Sequence, residues 1–114
     1  SIEIIYGLRN FIGNANKFCS QKVFIFLKSD NEKTEIIIED DGKGYPNDIL
    51  SKIGEPYLKS YSDINKQKSG LGLGIFIGKN LLEKNFASIN CRNSKTRNGA
   101  EVIIKWKNED LNKI

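Results

Sequence analysis

The residues of this chain best equipped for chemistry are two asparagines one helical turn apart, Asn10 and Asn14, a carboxylate running into glycines at Asp40-Asp41-Gly42-Lys43-Gly44, and the run Gly70-Leu71-Gly72-Leu73-Gly74. On a helix both Asn side chains can face one point, where their carbonyl oxygens could help hold Mg²⁺ beside phosphates. Magnesium keeps much of its water and takes few protein ligands, so one or two amide oxygens suffice. Lys17 falls on the same strip and could meet a phosphate as a point charge. Phe18 sits between that strip and the apolar face, where it could pack on a base. Asp40 could accept a hydrogen bond from an exocyclic amine such as adenine's, and Gly42 and Gly44 would let a flat ligand approach the backbone with no Cβ in the way. The glycine run follows a polar loop and opens a helix, so its amides could receive phosphate oxygens.

Taken alone, each pattern has an ordinary structural reading: a β-turn at Asp-Gly, a flexible hinge at the glycine run, a solvated polar strip on a helix. Standard templates fail. Gly78-Lys79 is followed by Asn80, and Leu73 stands where the first glycine of a Walker A loop belongs. A dinucleotide fingerprint is incomplete and has no strand directly before it. The chain has no histidine, which removes the commonest general base and metal ligand. Cys19 and Cys91 are isolated, with no CxxC spacing, which argues against a zinc site or a disulfide framework and suits a reducing compartment. Three patterns, each suited to a different part of a nucleotide, together point to a nucleotide pocket.

The elements that must position them follow from periodicity. Ile4, Ile5, Leu8, Phe11, Ile12 and Ala15 recur at helical spacing, so Ile4 to Phe18 is an amphipathic helix with Asn10, Asn14 and Lys17 at the edge of its apolar face. Val23 to Lys28 and Glu35 to Glu39 are expected to form a hairpin about Ser29-Asp30-Asn31-Glu32. A short helix is expected from Asn47 to Ile53, behind Pro46. Glu55 to Ser69 reads as a long surface loop, a length associated with lids and binding loops, and its Lys59, Lys66 and Lys68 could approach a phosphate chain. Leu71 to Asn85 returns to helical spacing, Phe86 to Arg92 and Ala100 to Trp106 read as strands about a turn at Asn98-Gly99, and the tail from Asn108 is expected to fray.

The order helix, hairpin, loop, helix, hairpin predicts an α+β two-layer sandwich with a mixed, mostly antiparallel sheet. The 114 residues, 39% hydrophobic, are enough for one domain spanning 1–114. The formal charge of +4 is spread along the chain and is read chiefly as a solubility device. No run is long and apolar enough for a membrane span, and the chain as given is expected to be soluble and intracellular. Beginning at Ser1 in a helical pattern, it is expected to be a fragment of a longer protein.

In order and spacing these motifs resemble the ATP-binding catalytic domain of bacterial sensor histidine kinases, within the superfamily that includes DNA gyrase and MutL. Asn10 to Asn14 resembles the asparagine box, Asp40 to Gly44 the first glycine box, Gly70 to Gly74 the second, and Asn98-Gly99-Ala100 the last. Gly54-Glu55-Pro56-Tyr57 in place of a phenylalanine box, with Gly7-Leu8-Arg9-Asn10 and the ending Lys105-Trp106, is similar to the redox-responsive RegB/PrrB type.

The resemblance implies a Bergerat-type fold, helices covering one face of a mixed sheet, with ATP held under a mobile lid at Glu55 to Ser69. It implies catalytic roles for Asn10, Asn14 and Lys17, with Asn10 and Asn14 handling Mg²⁺. Nucleotide contacts would come from Asn14, Lys17, Phe18, Asp40, Gly42, Gly44, Tyr57, Gly70, Leu71, Gly72, Leu73 and Gly74. Phe18 stands where Tyr is frequent, so a packing role survives and a hydroxyl contact does not. Hydrolytic relatives carry a Glu where this chain has Asn10, so efficient water attack is disfavoured. The implied nucleophile is a His on a separate dimerisation domain of the same homodimeric protein, with relay to a response regulator. The implied setting is a cytoplasmic domain of a bacterial inner-membrane protein. The alternative is a non-catalytic, nucleotide-gated interaction module of the anti-sigma or partner-switching type. Nucleic-acid binding rests only on a pI near 9.1 and lacks an aromatic and basic strip, so no nucleic-acid partner is expected.

Overall fold

The computed structural model describes residues 1–53 and 71–114. The expected lid from Glu55 to Ser69, with Tyr57 and its lysines, and Gly70 lie outside the described residues. Helix α1 (Ile2–Phe18) starts two residues earlier than its apolar pattern because Ser1 caps it, its hydroxyl accepting the Glu3 N–H at 3.2 Å. Gly7, Phe11 and Ala15 form its buried face, packed on helix α3 (Leu71–Lys84) and on strand β2 (Lys33–Asp40).

Strands β1 (Val23–Ser29), β2, β3 (Ser88–Asn93) and β4 (Ala100–Lys107) form one sheet in the order β1-β2-β4-β3. Every pairing among the described strands is antiparallel, so the mixed character expected of the sheet is not seen among these residues. Side chains alternate between faces. Ile36, Ile38 and Asp40 of β2, with Ala100, Val102, Ile104 and Trp106 of β4, lie on the helix side, and Ile38, Val102, Ile104 and Trp106 are core. Phe24, Phe26, Glu35, Glu39, Arg92 and Glu101 fall on the other side. The period of two therefore delivers Asp40, the last residue of β2, to the layer between sheet and helices.

Two local details differ from expectation. Phe86 is not a strand residue. It takes φ 73° to end α3, while Ala87 N–H reaches back to the Leu82 carbonyl at 3.0 Å in a Schellman-type stop. Trp106 Nε1 donates to the Asn85 carbonyl at 3.0 Å and seals that end. The tail does not fray at Asn108, which opens the short helix α4 (Asn108–Leu111). Asn108 is anchored by its own N–H on the Glu32 carbonyl (2.8 Å), its Nδ2 on the Asp30 carbonyl (2.7 Å) and the Thr34 hydroxyl on its Oδ1 (2.8 Å). Between β2 and α3, α2 (Asn47–Ile53) starts behind Pro46 as expected, with Ile49 and Leu50 N–H on the Pro46 carbonyl.

The α1–α3 contact is set by glycines. A Cβ added at Gly78 would lie 2.9 Å from the Phe11 ring and 3.1 Å from the Gly7 carbonyl, and one at Gly7 would lie 2.7 Å from Leu82 Cγ. Phe11 and Leu82 are buried at 2% and 0% exposure, leaving no space to retreat. Overpacking of this kind costs about 1–3 kcal/mol, whereas Gly to Ala in a helix returns at most ~1 kcal/mol. Gly78→Ala is therefore expected to lower stability, read as a reduced urea midpoint at unchanged m-value. An unchanged or raised midpoint would show that the helices are not so closely fitted.

Candidate functional site

Asp40 is 3% exposed, and its neighbours fix how it is used. Oδ1 accepts the Gly42 N–H at 2.9 Å and the Ala100 N–H at 3.2 Å. Gly99 packs so tightly on Asp40 that a Cβ there would collide with its carbonyl and carboxylate. Oδ2 has no hydrogen bond among the described residues. One oxygen is thus committed to the fold and the other is left as an acceptor.

The second carboxylate of the pair does different work. Asp41 Oδ1 accepts the N–H groups of Ser20 (2.9 Å), Gln21 (3.0 Å) and Lys22 (3.2 Å), gathering the segment that joins α1 to β1. Gly42 is not part of a cavity wall: a Cβ there would strike the Phe18 carbonyl, so it docks the turn against the end of α1. Gly44 has φ +81°, a conformation that disfavours any side chain. Asn93 holds the next residue from β3, its Oδ1 accepting the Tyr45 N–H at 2.6 Å and its Nδ2 donating to the Tyr45 carbonyl at 3.2 Å.

Between α1 and this turn lies a cavity of about 220 Å³ lined by Phe11, Asn14, Ala15, Phe18, Ile38, Asp40, Lys43, Gly44, Tyr45, Pro46, Ala100 and Val102. It is smaller than the roughly 300–1,000 Å³ of drug-sized sites, so it suits one flat ring system with the remainder of a ligand outside. Its walls are mostly apolar, with one buried carboxylate.

Asn14 links the cavity to the other helix. A Cβ at Gly74 would lie 3.0 Å from Asn14 Oδ1 and 3.1 Å from Nδ2, so the first asparagine motif and the second glycine motif touch. Asn14 Nδ2 is buried with no hydrogen-bond partner among the described residues, a state that costs about 1–3 kcal/mol until something fills it. An anion oxygen would satisfy it, and turning the amide over would present Oδ1 to a cation instead. Asn10 lies one turn away, outside the cavity lining. Its Nδ2 donates to the Tyr6 carbonyl at 2.8 Å, so its Oδ1 is the end left for a ligand. Lys17 holds its ammonium 5.3 Å from the centre of the Phe18 ring, at the cavity's rim. Leu71, Gly72 and Leu73 form the first turn of α3, as expected of a glycine run that opens a helix.

A sequence model of the histidine kinase-, DNA gyrase B- and HSP90-like ATPases matches residues 2–110. The chain belongs to that family. Among curated relatives, sensor histidine kinase RegB of Cereibacter sphaeroides is 38% identical over 91% of this chain, and CssS of Bacillus subtilis 33% over 78%. The chain spans 26% of RegB and 18% of CssS. Among solved structures, the catalytic domain of histidine kinase ThkA superposes with a TM-score of 0.68 at 21% identity, covering 93% of this chain and 66% of that one. Within the family this is therefore a catalytic domain of the kind found in two-component sensor kinases, and the expected α+β sandwich is its fold.

Several lining residues of this ATPase-family domain escaped the sequence reading. Lys43, Tyr45 and Pro46 line the cavity and carry no motif of their own, and neither does Asn93, which holds the Tyr45 backbone from outside it. Burial pushes the Tyr45 hydroxyl well above its usual range, and burial pushes the Cys91 thiol beside it up to about 12. Both stay neutral at physiological pH, so neither is a base or a reactive thiolate. The site also has no histidine to offer. Among the described residues no three His, Cys, Asp or Glu side chains gather as a metal cage, and a cation at the Asn10–Asn14 strip would rest on amide oxygens and on its ligand's phosphates.

Backbone hydrogen bonds from Gln21 and Lys22, then Ser20, hold the Asp41 carboxyl below its usual 3.8. With a folded pKa below the unfolded one, its stabilising contribution is present above about pH 3.8 and is lost as pH falls through the lowered value. Asp41→Asn is expected to be less stable than the native chain at neutral pH, with the gap closing in acid. A gap independent of pH between 7 and 2.5 would contradict this role.

Proposed function

We propose that this domain binds ATP with adenine in the cavity between Phe18 and the 41–46 turn and with its phosphates toward the contact of Asn14 with Gly74. We further propose that it passes the γ-phosphoryl group to a histidine carried on a separate dimerisation segment of the same protein, for relay to a response regulator. The observation that carries the reading is Asp40, a buried carboxylate in an apolar wall with one oxygen tied to backbone amides and the other unbonded. Adenine's exocyclic amine is a donor suited to that oxygen. Guanine sets a carbonyl oxygen at the same ring position, and two acceptors face to face are repelled, so the pocket selects its base.

On the phosphate side, Asn10 and Asn14 are the residues that would hold Mg²⁺, through amide oxygens: the bond from Asn10 Nδ2 to Tyr6 leaves its Oδ1 for a ligand, and the Asn14 amide, whose Nδ2 has no partner among the described residues, can turn over to present Oδ1. When bound, the ion would neutralise charge on the phosphates. Lys17 adds a positive charge at the rim, and Gly74 leaves the space in which the Asn14 amide sits. Phosphoryl transfer requires chiefly this positioning and charge compensation. Water attack requires a base, and Asn10 offers an amide, so transfer to an incoming imidazole is the reaction the residues favour. RegB and CssS are named sensor kinases, which supports the same reading, and the full-length protein is proposed to be a membrane-anchored homodimer.

Calorimetry with a non-hydrolysable ATP analogue tests the base contact. A hydrogen bond to a charged group is worth about 1.5–3 kcal/mol, so Asp40→Asn is expected to weaken binding by roughly 10- to 100-fold. Removing Mg²⁺ is expected to weaken binding of the wild type, and less so of Asn14→Ala. Unaltered affinity in Asp40→Asn would overturn the base-reading role. A second experiment supplies radiolabelled ATP with a histidine-bearing dimerisation domain. Label is expected on that domain, and the 114-residue chain alone is expected to turn over ATP far below the ~1 s⁻¹ of slow enzymes. ATP binding with no transfer would instead support a nucleotide-gated interaction module.

A further inference from the structure

On the sheet face turned away from the helices, Arg97 is fastened twice. Its Nε donates to Glu39 Oε2 at 2.9 Å, and its guanidinium carbon lies 3.6 Å from the centre of the Phe24 ring. A planar group that stacks on a ring while donating from its edge to a carboxylate is particular to arginine. Both partners lie close in register to the base-reading carboxylate: Glu39 precedes Asp40 on β2, and Phe24, the cross-strand partner of Glu39, follows Val23, the partner of Asp40. Arg97 therefore pins the 94–99 loop to β1 and β2 from behind the pocket.

That loop is built to pass the constraint on. Ser94, 6% exposed, closes it with an N–H to the Gly99 carbonyl at 2.7 Å, and its hydroxyl accepts the Arg97 N–H at 3.2 Å. Asn98 takes φ 64°, which turns the chain so that Gly99 meets Asp40 and Ala100 N–H reaches Oδ1. Glu39 also faces Glu101 across β2 and β4, and Arg92 pairs with Glu101. Among the described residues, removing Arg97 thus leaves that carboxyl pair with the Arg92 ion pair and the nearby charge of Lys28, and frees the loop rather than the sheet.

We propose that Arg97 is a positioning residue for base recognition: by pinning the 94–99 loop it holds Ala100 N–H on Asp40 Oδ1, which leaves Oδ2 set as the acceptor for the exocyclic amine. The proposal rests on the base-reading role of Asp40 given above. It assigns a determinant of nucleotide choice to a side chain on the opposite face of the sheet, outside the cavity.

The test compares dissociation constants for a non-hydrolysable ATP analogue and its inosine counterpart, which carries a carbonyl oxygen in place of the amine. Wild type, Arg97→Ala and the milder Arg97→Lys are measured, each with a urea midpoint. Wild type is expected to prefer the adenine nucleotide by about tenfold or more. Arg97→Ala is expected to lose most of that preference through weaker adenine binding, with inosine affinity little changed, and Arg97→Lys to fall between. Should Arg97→Ala not fold, Arg97→Lys carries the comparison. Equal weakening of both nucleotides, or a preference that survives both substitutions, would overturn the proposal while leaving Asp40's role intact. A wild type without preference would overturn the Asp40 reading itself, and this proposal with it.

Discussion

The end of strand β2 is where the domain's architecture and its chemistry meet. A carboxylate at 3% exposure needs hydrogen bonds to remain there, and Asp40 obtains two, from Gly42 on its own turn and from Ala100 at the start of β4. Those bonds converge on the same oxygen, so the turn after β2 and the turn before β4 are joined through one atom. The cavity wall is the direct result, since Gly44, Tyr45 and Pro46 follow from one of those turns and Ala100 and Val102 from the other. A side chain read as a ligand contact is equally a joint in the fold.

The opposite wall depends on how closely two helices approach. Gly7 and Gly78 bring α1 and α3 together around Phe11 and Leu82, and Gly74, one turn before Gly78, then lies against Asn14. Small residues at this crossing thus place a polar amide and the first turn of α3 in one neighbourhood. The amide stays unpartnered among the described residues, a cost the packing of α1 and α3 sustains and a ligand would relieve. On the proposed reading, phosphate-side chemistry is a property of helix packing, and base-side chemistry a property of strand ends.

Much of this was legible because hydrophobic periodicity is a strong signal over long segments. The apolar spacing in α1, the β-branched runs of β1 and β2, and the glycine turn behind Asp40 led to the right elements and to a pocket wall containing Asn14, Phe18, Asp40 and Gly44. The failures are physical too. Phe86 ends a helix in a left-handed conformation normally left to glycine, so its aromatic β-propensity was overruled by the Schellman stop and by Trp106 sealing that end. Asn108 looked like a frayed tail, yet three hydrogen bonds to the β1–β2 hairpin give it a partner far away in sequence. Asn93 and Arg97 act through contacts between distant segments and carry no local pattern. Gly42 was expected in the cavity wall and is instead a spacer behind Phe18, a distinction that only the collision with the Phe18 carbonyl reveals.

The central claim is that the unbonded oxygen of Asp40 reads the base while Asn14 meets the phosphate end. It is tested most directly by a crystal structure of the chain with Mg²⁺ and a non-hydrolysable ATP analogue. The account predicts Asp40 Oδ2 at about 2.7–3.2 Å from adenine's exocyclic nitrogen, Oδ1 still on Gly42 and Ala100, and the Asn14 amide engaged by phosphate or metal. A base seated elsewhere, or an Asp40 that gives up its backbone bonds to reach the nucleotide, would contradict it.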